Sequence, residues 1–178
     1  MSELDDLLDE RVREIPDWPV PGVVFRDITP LLADARGIPA VSRGFCDALA
    51  AHGITGVDLV AGVEARGFVL GAPLAVALGV GFVPVRKEGK LPGDVHAESY
   101  ALEYGTATLE IQVDAVAAGH RVLLVDDVLA TGGTAAAAAA LLRNAGAEVV
   151  GFAVLLELGA LGGRSALAEL PVVALRTL

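Results

Sequence analysis

The stretch VLLVDDVLATGGTAAAAAALL, Val122 to Leu142, constrains the fold more than any other part of the chain. Val122 to Val125 has no polar position, so a strand there is apolar on both faces and has to be covered on both. The glycines that follow make a turn, and Ala135 to Ala140 is a run of the strongest helix former. The same order occurs upstream, where VDLVAGV leads through EARGF into an Ala- and Leu-rich helix, and GFVPV follows as the next buried strand. Apolar strands alternating with helices are the pattern of an α/β fold with a central, mostly parallel sheet flanked by helices.

The remaining segments fit around that sheet. LDDLLDERVREI has Leu4, Leu7, Leu8, Val12 and Ile15 at helical spacing and is stopped by Pro16. PDWPVPGVVFRDITPLL, with four prolines, reads as a loop despite its apolar residues. A helix is expected from Ile38 to His52. RKEGKLPGDVHAESYALEYG is polar and rich in turn formers, and reads as a mobile excursion from the core. ATLEIQV alternates as a half-exposed strand; EVVGFAVLLEL, a short helix near Leu161 to Ala168 and VVALRTL complete the chain. The 178 residues suit one domain, 1–178.

Thirteen basic residues against twenty-three acidic ones give a formal charge of −10, which leaves no overall electrostatic footprint for nucleic acid or an anionic membrane. A polyanionic ligand therefore needs a local basic patch. Prolines and glycines break the uncharged run from Phe68 to Val85, which argues against a membrane span. Cys46 is the single cysteine and the acidic N-terminus does not resemble a signal peptide, so a cytoplasmic protein is expected. His52, His96 and His120 show no metal-ligand spacing.

In a parallel sheet the ligand sits beyond the carboxyl ends of the strands. ATGGT, Ala130 to Thr134, follows such an end and opens a helix, so its backbone N–H groups and the positive end of the helix can converge on an anion. It is neither a Walker A loop nor a dinucleotide fingerprint, since no lysine follows the glycines and G-x-G-x-x-G is absent. Alone it is equally a strand-to-helix turn capped by Thr134. Asp126 and Asp127 sharpen the reading, because carboxylates beside a buried strand need a cation or a hydroxyl partner. Sugar hydroxyls are such partners, so a ribose 5-phosphate is the ligand these parts describe together. Salt-bridged or solvated loop acids remain the alternative.

VLLVDDVLATGGT resembles the signature of the type I phosphoribosyltransferases, and PGVVFRDITPLL, GVEARGF, and RKEGKLPG leading to YALEYG are similar to segments of the members that act on adenine. The resemblance implies their fold, with a small hood from about 16–32 and a mobile catalytic loop at about 88–105. It implies transfer of a 5-phosphoribosyl group from phosphoribosyl pyrophosphate to N9 of adenine, a purine-salvage reaction giving AMP and pyrophosphate with Mg2+. It further implies a homodimer. Val24, Phe25 and Arg26 match the adenine-binding loop, with Phe25 on the purine face. Arg66, Arg86, Lys87 and Lys90 match the pyrophosphate region, where some basic residues of the family reach across a dimer interface. Ala130, Thr131, Gly132, Gly133 and Thr134 match the phosphate loop, Asp126 and Asp127 the ribose and magnesium region, and Glu103 with Tyr104 the catalytic loop. No protein metal ligands are implied; magnesium is held mainly by pyrophosphate and ribose oxygens. A relative acting on another base, such as xanthine or orotate, or a regulator that binds phosphoribosyl pyrophosphate without catalysis, stays open as the alternative.

Overall fold

The computed structural model describes residues 2–101, 105–167 and 170–178. Its contacts divide the chain into two compact units, 1–44 and 45–178.

In the first unit, α1 (Glu3–Arg11) opens on a reciprocal cap: Ser2 Oγ accepts from Asp5 N at 3.2 Å, and Asp5 Oδ2 accepts from Ser2 N at 2.9 Å. The helix ends four residues short of the expected Ile15, because Arg13–Pro16 (β1) pairs antiparallel with Val24–Asp27 (β2), Ile15 opposite Phe25. The segment expected to be loop therefore carries regular structure, continued by α2 (Thr29–Ala33). Its prolines fall where each element tolerates them. Pro16 ends a strand of a two-stranded ribbon, and Pro30 lies in the first turn of α2. Between the strands, Asp17 Oδ1 accepts from Gly22 N at 2.8 Å, and the Trp18–Pro19 bond is cis. α3 (Gly37–Ala51) runs across the boundary between the units.

Asp27 ties β2 to α2. Its Oδ1 accepts from Thr29 N at 2.8 Å and its Oδ2 faces Arg13 Nη2 at 2.5 Å. Hydrogen bonds from Thr29, then from Arg13, hold the carboxyl down at about 2. With an unfolded value of about 3.9, the charged form contributes stability above that pH, and the contribution is lost as pH falls through the folded value. Asp27→Ala is expected to lower stability in urea at pH 7 by about 1.5–3 kcal/mol, the range for hydrogen bonds to a charged group. The gap to the parent should close between pH 4 and pH 2; a gap as wide at pH 2 would mean that the charge is not its source.

In the second unit, β3 (Leu59–Val63), α4 (Arg66–Leu78), β4 (Gly81–Lys87), β5 (Val95–Ala101), β6 (Thr106–Gln112), β7 (Arg121–Leu129), α5 (Gly133–Asn144), β8 (Glu148–Glu157) and β9 (Val172–Thr177) follow in order. Short 3-10 turns at Gly159–Leu161 and Gly163–Leu167 join β8 to β9. The strands form one seven-stranded sheet in the order β5-β6-β4-β3-β7-β8-β9. From β4 to β9 neighbours run parallel, while β6 pairs antiparallel with both β4 and β5.

The supposed polar excursion contains a full strand, since β5 pairs with β6 from Val95↔Gln112 to Ala101↔Thr106. Its polar alternation belongs to a sheet edge rather than to a loop. β7 is also longer than its apolar run: Asp126 and Asp127 lie inside it, paired alongside β8 as far as Leu129↔Glu157. Ala135, Ala138 and Ala139 of α5 are buried with Leu141, Leu142, Val122, Leu124 and Val154 in one core. Small side chains allow that helix to lie close to the sheet. Among the described residues no helix is long and apolar enough to cross a membrane.

Candidate active site

Beyond the carboxyl ends of β3, β4 and β7 lies an open pocket of about 600 Å³. Its walls are the turn after β3, Val63 to Arg66; Lys87 at the end of β4; Tyr100, Ala107 and Leu109 of the β5–β6 hairpin; and the continuous run Asp126 to Ala135. The acids, the glycine turn and Arg66, scattered over 69 positions of sequence, thus share one cavity at the place a parallel sheet offers a ligand.

The turn sits where α5 begins. Gly132 is the residue before the helix, in the left-handed region at φ 85°, and no side chain caps the first turn, so its N–H groups remain available to an anion. A Cβ on Gly132 would lie 2.4 Å from Gly163 O. The 3-10 turn at Gly163–Leu167 therefore backs the loop, and only glycine allows that approach.

Opposite the turn, Arg66 Nε faces Asp127 Oδ2 at 2.5 Å; the Asp127 side chain is 7% exposed and that of Arg66 41%. Asp127 N donates to Asp126 Oδ1 at 2.8 Å. Burial, and then the adjacent Asp127 charge, push the Asp126 carboxyl well above the usual carboxylate range. Within the pair, Asp127 thus faces Arg66 while Asp126 accepts from the Asp127 N–H. Gly67 lets α4 come this near: a Cβ there would lie 2.7 Å from Val125 O and 3.2 Å from Asp126 Oδ1.

Glu64 organises the basic side. Its Oε2 accepts from Lys87 N at 3.0 Å and lies 3.3 Å from Arg86 Nε, and Arg86 Nη1 donates to Lys90 O at 3.0 Å. The Lys87 N–H, with Arg86 beside it, holds the Glu64 carboxyl below its ordinary range. The Glu64–Ala65 peptide bond is cis. Arg86 and Lys90 do not line the pocket, whereas Lys87 does.

Val24, Phe25 and Arg26 lie in β2 of the first unit, where Phe25 meets Trp18 edge-on at 4.4 Å between centroids and Arg26 pairs with Glu14. Glu103 and Tyr104 lie outside the described residues. Glu64, Tyr100 and Gly163 are site features that the sequence reading does not single out. The only signal for Glu64 is an acid beside Arg66 in a turn expected to bind an anion.

Among the described residues no group of three or more His, Cys, Asp or Glu could hold a metal ion. Asp126 and Asp127 offer hard oxygen donors on the pocket wall, which suits Mg2+ when a ligand supplies most of its shell.

A mostly parallel sheet with a glycine turn, an acid pair and cations gathered past its strand ends defines an α/β protein with its ligand pocket at the carboxyl end of the sheet. The phosphoribosyl transferase domain family matches residues 47–166. An adenine phosphoribosyltransferase of Thermobifida fusca is 58% identical over 177 residues, 99% of this chain and 98% of its own. The crystal structure of the enzyme of that name from Thermoanaerobacter pseudethanolicus is 47% identical, with a TM-score of 0.93 over 98% of this chain and 99% of its own. That from Saccharomyces cerevisiae, complexed with D-2,5-dideoxy-2,5-imino-altritol 1,6-bisphosphate and adenine, is 39% identical, with a TM-score of 0.93 over 99% and 100%. The chain belongs to the phosphoribosyltransferase family, among its adenine phosphoribosyltransferases.

Proposed function

We propose that the protein transfers the 5-phosphoribosyl group of phosphoribosyl pyrophosphate to N9 of adenine, giving AMP and pyrophosphate. The observation that carries this is the shared pocket, in which Ala130 to Thr134 face Asp126, Asp127 and Arg66. The N–H groups and hydroxyls of Ala130, Thr131, Gly132, Gly133 and Thr134 hold the 5-phosphate. Asp126 and Asp127 take the ribose hydroxyls several bonds away on the same sugar, and Arg66 and Lys87 meet the pyrophosphate, with Arg86 held close by Glu64. Lys90 is exposed and suits a contact made across a homodimer.

In the reaction the bond from the sugar carbon to pyrophosphate breaks with its electron pair going to the leaving group, the bond to N9 forms, and the imidazole proton of adenine leaves from N7 to the Glu103 carboxylate. The sugar carbon becomes cationic on the way, so the chain has to stabilise the leaving charge and fix the base in line. Mg2+, carried by the ligand oxygens and faced by Asp126 and Asp127, supplies further charge neutralisation when bound. Glu103 manages this proton balance at adenine N7, Tyr104 accompanies it, and the segment at about 88–105, which carries β5, excludes water.

Val24 and Arg26 read the edge of adenine while Phe25 packs on its face. Residues two apart on a strand turn their backbone groups to the same edge. Pro16, opposite Val24, has no N–H to give it, which supports an arrangement with the groups of Val24 and Arg26 on the unpaired edge of β2. The protein is assigned to the cytoplasm as a single-domain homodimer.

Incubation with phosphoribosyl pyrophosphate, Mg2+ and adenine is expected to release AMP and pyrophosphate in equal amounts. Tight binding of phosphoribosyl pyrophosphate with no nucleotide formed would return the regulator as the better reading.

A further inference from the structure

Tyr100 stands on the last turn of pleat of β5 and lines the pocket, its ring packed against the buried core. Its hydroxyl lies 3.2 Å from Oγ1 of Thr134, in the first turn of α5. The contact joins residues 34 positions apart, and both side chains are partly buried. We propose that Tyr100 is a positioning residue of the 5-phosphate seat: its hydroxyl donates to Thr134 Oγ1 and so turns the single Thr134 proton toward the phosphate.

A threonine hydroxyl has one proton and two lone pairs. Without a donor beside it, Thr134 can spend that proton on a neighbouring acceptor and present a lone pair to the ligand, which repels an anion. A phenol is the stronger acid of the two hydroxyls and hence the better donor. With Tyr100 donating, the acceptor side of Thr134 is occupied and its proton is free for a phosphate oxygen, which only accepts. The two bonds then form a chain in which each polarises the other. Packing of the Tyr100 ring against the core fixes the phenol without help from the ligand, so the seat is oriented before phosphate arrives.

The inference rests on the phosphate-seat reading, and the test separates the two. Affinities of the full-length protein for ribose 5-phosphate and for adenine, each alone, are measured by calorimetry for the parent, Tyr100→Phe, Thr134→Val, Thr134→Ser and the double variants with Tyr100→Phe. Tyr100→Phe is expected to weaken ribose 5-phosphate roughly three- to tenfold, what one hydrogen bond is worth, and to leave adenine unchanged. The same change should cost nothing further once Thr134 is valine, and its full effect should persist with serine, which keeps the hydroxyl. If Thr134→Val weakens ribose 5-phosphate but Tyr100→Phe does not, or if the two effects add, Tyr100 does not act through Thr134 and the proposal falls. If Thr134→Val itself leaves the affinity unchanged, the phosphate seat is elsewhere and the reading beneath the proposal falls with it.

Discussion

Arg66→Ala is expected to lower kcat by ~10²–10³, the loss that follows removal of one preorganised electrostatic group from a reacting centre. Arg66 opens α4 beside the turn after β3 and reaches the pocket with its guanidinium 2.5 Å from Asp127. Its removal takes a cation from the departing pyrophosphate and leaves the almost fully buried Asp127 without its ion pair. Those two consequences are separable. Lysine at 66 restores the charge but not the planar fork, and should recover part of kcat while the stability of the fold returns toward the parent value. Steady-state rates and urea midpoints on both variants make the comparison; a near-normal kcat for Arg66→Ala would remove this residue from the transition-state machinery.

Gly132→Ala is expected to weaken phosphoribosyl pyrophosphate by ~10²-fold, the cost of displacing a positioned group by about an ångström. The added Cβ would meet Gly163 O at 2.4 Å and the Ala166 Cβ at 2.9 Å, on a backbone held at φ 85°. Since Gly163 O is backbone, the loop has to move rather than its neighbour. Gly119, at φ 83° with open space where a Cβ would go, is the control, because it carries the same backbone strain away from the pocket. Gly119→Ala should cost roughly 1–2 kcal/mol of stability and leave affinity for the sugar phosphate intact. Equal losses of affinity in both variants would show that strain, not the approach to Gly163, explains the effect.

The parallel centre of the sheet was legible because its strands carry no polar position, as in Val122 to Val125, and because alanines and glycines mark the helix and turn that follow. The hairpin side was not. β5 is an edge strand whose solvent face carries Ala97, Ser99 and Ala101 and whose half-buried face still includes the polar His96 and Glu98, so its composition is that of a loop until β6 supplies the partner. The β1–β2 ribbon hid in the same way, behind prolines that a two-stranded ribbon can place at its ends. Within the site, Asp126, Asp127 and the glycine turn could be read together because they are contiguous. The Arg66–Asp127 pair spans 61 positions and the Tyr100–Thr134 contact 34, and no local pattern announces either. Glu64 was obscured for another reason: an acid beside an anion site looks misplaced until Arg86 and the Lys87 N–H are found on it.

Base choice tests the account most directly, because it joins the sugar-phosphate pocket to the reading of Val24, Phe25 and Arg26. Adenine donates from N6 and accepts at N1, whereas a 6-oxopurine has the opposite polarity at both positions, so a site of fixed backbone groups leaves buried partners mismatched. The measurement is kcat/KM for adenine, hypoxanthine, guanine, xanthine and orotate with saturating phosphoribosyl pyrophosphate and Mg2+. AMP should form at a rate that exceeds every other nucleotide by as much as ~10⁴–10⁵. Comparable turnover of hypoxanthine, or a preference for any base other than adenine, would contradict the assignment.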